Sequence, residues 1–148
     1  MRPLGLAAAA MTLLLTMAQA ARAADTVDMR DLVFDSPAVA DMEAGGVSLP
    51  REPVYWQSDG PWLITVEVLE LNLGSSDDGR YLKPLGDLQF KRSEDAVWRS
   101  MEITPLVLAS GGAGGKGSFL VDWRMALDWA KDRPGRYRAT LRLTIHSR

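Results

Sequence analysis

Apolar residues recur at every second position through much of the chain. Trp62, Ile64, Val66 and Val68 hold one parity while Thr65 and Glu67 hold the other. Leu88 and Phe90 alternate with Gln89 and Lys91, and Phe119, Val121, Trp123 and Met125 share a parity that Leu127 and Trp129 continue. A period of two sends successive side chains to opposite faces, so each run predicts a strand buried on one side. The stretch DRPGRYRATLRLTI, Asp132 to Ile145, repeats the pattern with charge added. Tyr137, Ala139, Leu141, Leu143 and Ile145 keep one parity, and Arg136, Arg138 and Arg142 the other. An apolar interior rejects unpaired guanidinium groups, so the arginines are expected on the outer face of a last strand.

Turn residues punctuate these runs. Ser58-Asp59-Gly60-Pro61 divides Val54–Leu71 into two strands. Gly74–Asp87 reads as a polar loop bent at Pro84–Gly86, Ser93–Ala96 as a tight connection to Val97–Met101, and Thr104–Ser110 as a brief apolar run. Gly111–Gly117 reads as a flexible hairpin connection. In Asp132-Arg133-Pro134-Gly135, proline sets φ near −65° and glycine is expected to take positive φ. Tyr137 follows, placed to turn its ring inward and bond its hydroxyl back to that connection. Asp25–Pro50 is weakly patterned: Asp31–Asp35 is a candidate short strand, and Glu43–Pro53 reads as irregular. Trp123–Lys131 holds good helix formers, but its parity favours a strand with room for one helical turn. Seven to eight short strands predict an all-β, immunoglobulin-like antiparallel β-sandwich over residues 53–148. Residues 24–52 are read as an N-terminal extension.

The first 23 residues change the setting. Arg2, the apolar stretch Leu4–Met17 and the small-residue sites Ala18-Gln19-Ala20 and Ala21-Arg22-Ala23 have the form of a signal peptide, with cleavage expected after Ala23. The apolar stretch is shorter than the ~20 residues of a membrane span, and no second one follows, so no transmembrane span is expected after signal removal. Removing 23 of 148 residues leaves 125, enough for one domain with a real core. Losing Arg2 and Arg22 takes the net charge from −2 to −4, which argues against a nucleic-acid partner. The chain has no cysteine, which excludes disulfides, thiol catalysis and cysteine metal sites. A periplasmic or extracellular location is the expectation.

The stretches DGPWLITVEV, LGDLQFKRSEDAVWRSM and DWAKDRPGRYRATLRLTI together resemble the immunoglobulin-like sandwiches of bacterial surface and fimbria-type proteins. The spore-coat-U-like and CS1-type pilin groups end similarly, with a PG-x-Y turn leading into the last long strand. The resemblance runs from about Tyr55 to Ile145 and rests on short structural motifs. It implies a structural or adhesive envelope module, fimbria- or coat-associated. The chain departs from those pilins in lacking their cysteines and in having strands enough to close its own sandwich.

Candidate chemistry is sparse. Ser110–Ser118 (SGGAGGKGS) lacks the glycine spacing and the hydroxyl residue that a phosphate loop needs. Asp77-Asp78-Gly79 lacks the alternating ligands and closing glutamate of a calcium loop. His146, the single histidine, has no carboxylate near it in sequence and sits two residues from the end, a poor place for a catalytic triad. Asp122 and Asp128 are assigned to strand-edge and turn roles. No catalytic residue, metal site or cofactor is therefore expected. Of five tryptophans, Trp62 and Trp123 fall on buried parities, whereas Trp56, Trp98 and Trp129 lie near strand ends or turns and are candidates for exposure. The candidate interaction residues are thus Arg136, Arg138, Arg142, Trp56, Trp98 and Trp129. Arginine offers a planar fork of donors to anions, with Glu67 and Asp87 as candidate internal partners. Tryptophan faces stack on sugars. The expected function is a non-enzymatic envelope module that binds a protein partner or itself; a carbohydrate-binding module, with polysaccharide as ligand, is the alternative.

Overall fold

The computed structural model describes residues 25–34 and 37–147; the expected signal peptide at 1–23 lies outside them. Ten strands form among the described residues: β1 (Thr26–Met29), β2 (Gly46–Ser58), β3 (Trp62–Val68), β4 (Asn72–Ser75), β5 (Leu82–Pro84), β6 (Leu88–Arg92), β7 (Arg99–Ser100), β8 (Leu106–Gly111), β9 (Gly115–Ala126) and β10 (Leu141–Ser147). A short helix, α1 (Val39–Ala44), precedes β2, and a 3₁₀ turn covers Leu85–Asp87. Sheet order is β1-β2-β9-β6-β7 in one layer and β10-β3-β8 in the other, with a separate β4-β5 hairpin. Every pairing is antiparallel. The fold is an all-β sandwich, with two to three strands more than the sequence pattern predicted.

The alternating runs supply the core. Ile64, Val66 and Val68 of β3 face Phe90 of β6 and Val121 and Trp123 of β9, all buried. Trp62 and Trp123 are both in this core, as their parity predicted. In Trp123 the ring is fully enclosed and its Nε1–H meets no acceptor among the described residues. At about 25 cal/mol per Å² of apolar surface removed from water, these side chains are the main source of stability.

Several expectations change. The candidate strand Asp31–Asp35 is instead β1, five residues earlier; Asp31–Phe34 run unpaired, and Asp35 lies outside the described residues. Glu43–Pro53 is not irregular: β2 starts at Gly46 and pairs with β9. Its alternation was hidden by a β-bulge. Leu49 lies opposite Trp123 and Glu52 opposite Val121, so Pro50 and Arg51 stand against a single residue of β9. Arg51 has φ 59° and donates its amide to Asp122 Oδ1 at 2.8 Å. The inward parity therefore switches from Val47 and Leu49 to Glu52, Val54 and Trp56. Residues expected to form an extension thus supply β1 and the first half of β2 to the larger sheet.

The expected Gly74–Asp87 loop holds most of the β4-β5 hairpin, which starts at Asn72, and the long odd-parity run stops at Ala126. Residues 129–131 then form a turn, leaving Trp129 61% exposed. The last strand begins at Leu141 rather than Tyr137, because the backbone before it is committed elsewhere. Arg138 donates its amide to Leu73 O at 2.8 Å, and Thr140 donates amide and hydroxyl to the Glu70 carboxylate, each at 2.7 Å.

Tyr137 does turn its hydroxyl back, donating to Arg133 O at 2.6 Å. Gly135 serves that corner without positive φ. A Cβ there would lie 2.9 Å from Ser76 Cα, so the residue is needed for close approach. In the β8-β9 hairpin, a Cβ on Gly114 would lie 2.5 Å from the Asp59 backbone, which ties that turn against the β2-β3 corner.

Candidate functional site

Three positions in register, Val47 on β2, Met125 on β9 and Leu88 on β6, make an apolar row across the larger sheet near its end. One pair beyond this row, at Gly46 and Ala126, β2 and β9 both stop. A cavity of about 700 Å³ opens there. The row forms one wall; Leu73 of β4, Leu141 of β10 and Ala139 form the opposite side. Phe34, Val39 and Met42 close a third side. Val39 and Met42 reach it from α1, which Asp41 begins by accepting the Ala38 amide at 2.8 Å. Gly45 ends the helix at φ 77°.

The polar wall is built around Lys83. Its side chain is 1% exposed, and its ammonium donates to Asp132 Oδ1 at 2.7 Å, Asp87 Oδ2 at 3.0 Å and Ala126 O at 3.0 Å. All three donors of the ammonium are thereby used. Asp132, 8% exposed, also accepts the Tyr81 hydroxyl at 2.9 Å and the Asp128 amide at 2.8 Å. Burial by itself would raise the Asp132 pKa. The bonds from Lys83, Asp128 and Tyr81 outweigh it and hold the carboxyl below its usual range. Burial, then the bond to Asp132, push the Tyr81 phenol well above its ordinary value, and burial with the nearby Asp132 charge raises Tyr137. The Tyr81 and Tyr137 rings meet edge to face at 6.5 Å, and Lys83 lies 5.8 Å from the Tyr137 centroid. The network ties β5, the end of β9 and the 126–132 turn into one latch. Its polar atoms are bonded to one another and offer little to a ligand.

Of the six candidate interaction residues, three converge on this cavity: Arg136, Arg138 and Trp129 all line it. The other three lie apart. Arg142 sits on the outer face of the smaller sheet, opposite Glu67 in register and bonded to it. His146 lies on the same face, with Nε2 3.3 Å from Thr65 Oγ1. Glu67 is thus an internal partner as expected, whereas Asp87 serves Lys83. Trp56 is half-buried and packs on Trp62, ring centroids 4.3 Å apart. Trp98 lies over Arg124 at 4.7 Å and Lys91 at 5.5 Å. The three tryptophans therefore do not share a platform.

Asp122 does not have the strand-edge role assigned to it: it lies within β9, the central strand of the larger sheet, opposite Lys91, and accepts from the Arg51 amide of the β2 bulge and from Ser93 Oγ. Asp128 caps the 128–132 turn, accepting from the Ala130 amide. Among the described residues, no three histidine, cysteine or acidic side chains are grouped to hold a metal ion, and no helix is long and apolar enough to cross a membrane. Sequence reasoning missed Lys83, Tyr81, Asp87 and Asp132 as a unit, since polar residues in a turn-rich stretch give no sign of burial. No family model, no curated protein and no solved structure matches the chain.

Proposed function

We propose that the chain is an exported, non-enzymatic binding module of the bacterial cell envelope, structural or adhesive in role and immunoglobulin-like in kind. The cavity at the end of the sandwich carries this reading. It is mostly apolar, its size falls within the range of ligand sites, and Arg136, Arg138 and Trp129 surround it. Its buried polar groups are engaged in holding the fold, an arrangement suited to binding rather than turnover. Fimbrial or coat association, and periplasmic or cell-surface location, belong to the same proposal and rest on the motif resemblance and the amino-terminal signal.

A photo-crosslinking side chain placed at Val39 on the cavity wall, with Tyr55 on the outer face of the larger sheet as reference, tests it in intact cells. Adducts from position 39 that are absent from position 55 are expected. Adducts from position 55 alone would contradict the reading. The carbohydrate alternative leans on Trp129, whose exposed ring is available for stacking. A glycan titration that quenches tryptophan fluorescence in the parent protein, but not in Trp129→Ala, would favour it.

A further inference from the structure

The cavity's charge and its lining together identify a class of ligand, on the premise that the cavity is the binding site. Its lining holds four cations, Lys83, Arg133, Arg136 and Arg138, and one carboxylate, Asp132, in a chain of net charge −2. Lys83 and Asp132 neutralise each other inside the latch. Arg133 approaches Asp78 only at 3.6 Å, and both side chains are about half exposed. Arg138 acts on Glu70 from a distance, and Arg136 makes no ion pair among the described residues. Arg136 and Arg138 are exposed, and both border a wall of Leu73, Ala139 and Leu141. An apolar lining beside two exposed guanidinium groups that make no direct ion pair among the described residues matches a molecule with a tail and an anionic head.

We propose that the cavity binds a free single-chain amphipathic anion, a fatty carboxylate, with its chain along the Val47–Met125–Leu88 wall and its head group at Arg136 and Arg138. A single chain suits a volume of about 700 Å³. The apolar walls supply affinity in proportion to chain length, and the arginines discriminate for charge.

Calorimetric titration of the purified protein with octanoate, decanoate, dodecanoate and dodecanol tests this. Dodecanoate should bind, and each added methylene should tighten Kd about fourfold, the equivalent of about 0.8 kcal/mol per buried CH₂. Replacing Arg136 and Arg138 together by Ala should weaken dodecanoate about tenfold and leave dodecanol unchanged. Ala139→Trp should abolish binding by filling the cavity; Ala38→Trp, at the exposed lip, does so without touching the core, and thermal melting confirms that each variant is folded.

Equal affinity for dodecanol and dodecanoate, or an arginine-independent Kd, would overturn the anionic ligand while leaving the cavity as a binding site. Failure of every chain to bind, with position-39 crosslinks intact, would overturn the ligand class alone. Loss of both would remove the binding reading itself. Co-sedimentation with phosphatidylglycerol vesicles, without binding of free dodecanoate, would overturn the inference in favour of a membrane surface.

Discussion

Midway along the sandwich, Ile64, Val66, Phe90 and Trp123 meet in an apolar core, and charge enters only at its margin, where Glu52 and Arg92 flank Val121. At the cavity end, Lys83 is buried as deeply but is held by two carboxylates and a carbonyl. The middle consists of paired strands whose backbone groups satisfy one another, so the space between the layers can be filled mainly by apolar side chains. At the end the strands stop, leaving backbone donors and acceptors that must find other partners. Ala126 O, the Asp128 amide and Arg133 O find them in Lys83, Asp132 and Tyr137. The middle therefore gains stability from burial. The end gains a fixed geometry, and with it an open cavity.

Replacing groups on each side of this contrast should separate the two mechanisms. The largest effect is expected from Trp123→Ala, which empties the centre of the core and should cost about 3–5 kcal/mol in urea unfolding. Lys83→Met should cost about 3 kcal/mol, because it leaves the buried Asp132 carboxylate without its cation. Adding Asp132→Asn to it should recover about 1 kcal/mol or more, since the uncharged amide can still accept the Asp128 N–H with its oxygen while its NH2 donates to the Tyr81 hydroxyl. A double replacement that simply sums the two losses would contradict a charge-based latch.

Acid should weaken the latch. The folded Asp132 pKa lies below its unfolded value, so its contribution is fully present above about pH 4. It declines as pH falls toward the folded pKa and disappears below it. Glu52, which accepts from Nε and Nη2 of the exposed Arg30, is lowered in the same direction. Urea midpoints measured from pH 6 to pH 2 should therefore fall, with a shallower fall in the Lys83→Met/Asp132→Asn protein. The smallest effect is expected from Arg142→Ala: its bond to Glu67 lies on the exposed outer sheet face, where such pairs contribute about 0–1 kcal/mol.

The same contrast explains what could be read from the chain. β3, β6 and most of β9 were legible because period two runs through them uninterrupted. The start of β2 was not, because the bulge at Pro50–Arg51 reverses which parity faces inward. In β8 the register also shifts, leaving the adjacent Leu108 and Ala109 both buried and no alternation to see. The six residues of α1 are too few to show a helical period. For the site, Arg136, Arg138 and Trp129 were visible as residues able to make contacts, and chain geometry brought them to one cavity. Arg142 has the same type and parity but falls on a different surface, because the strand starts only at Leu141. Lys83 and Asp132 are 49 positions apart, and no local pattern links them.

Residue-resolved hydrogen exchange measures this division most directly. The account predicts that amides of Ile64, Val66, Val121 and Trp123 exchange only by global unfolding, while those from Leu127 to Thr140 exchange through smaller local openings that become easier as the latch is acidified. Uniform protection across both regions, or slower exchange at the cavity end than in β3 and β9, would contradict it.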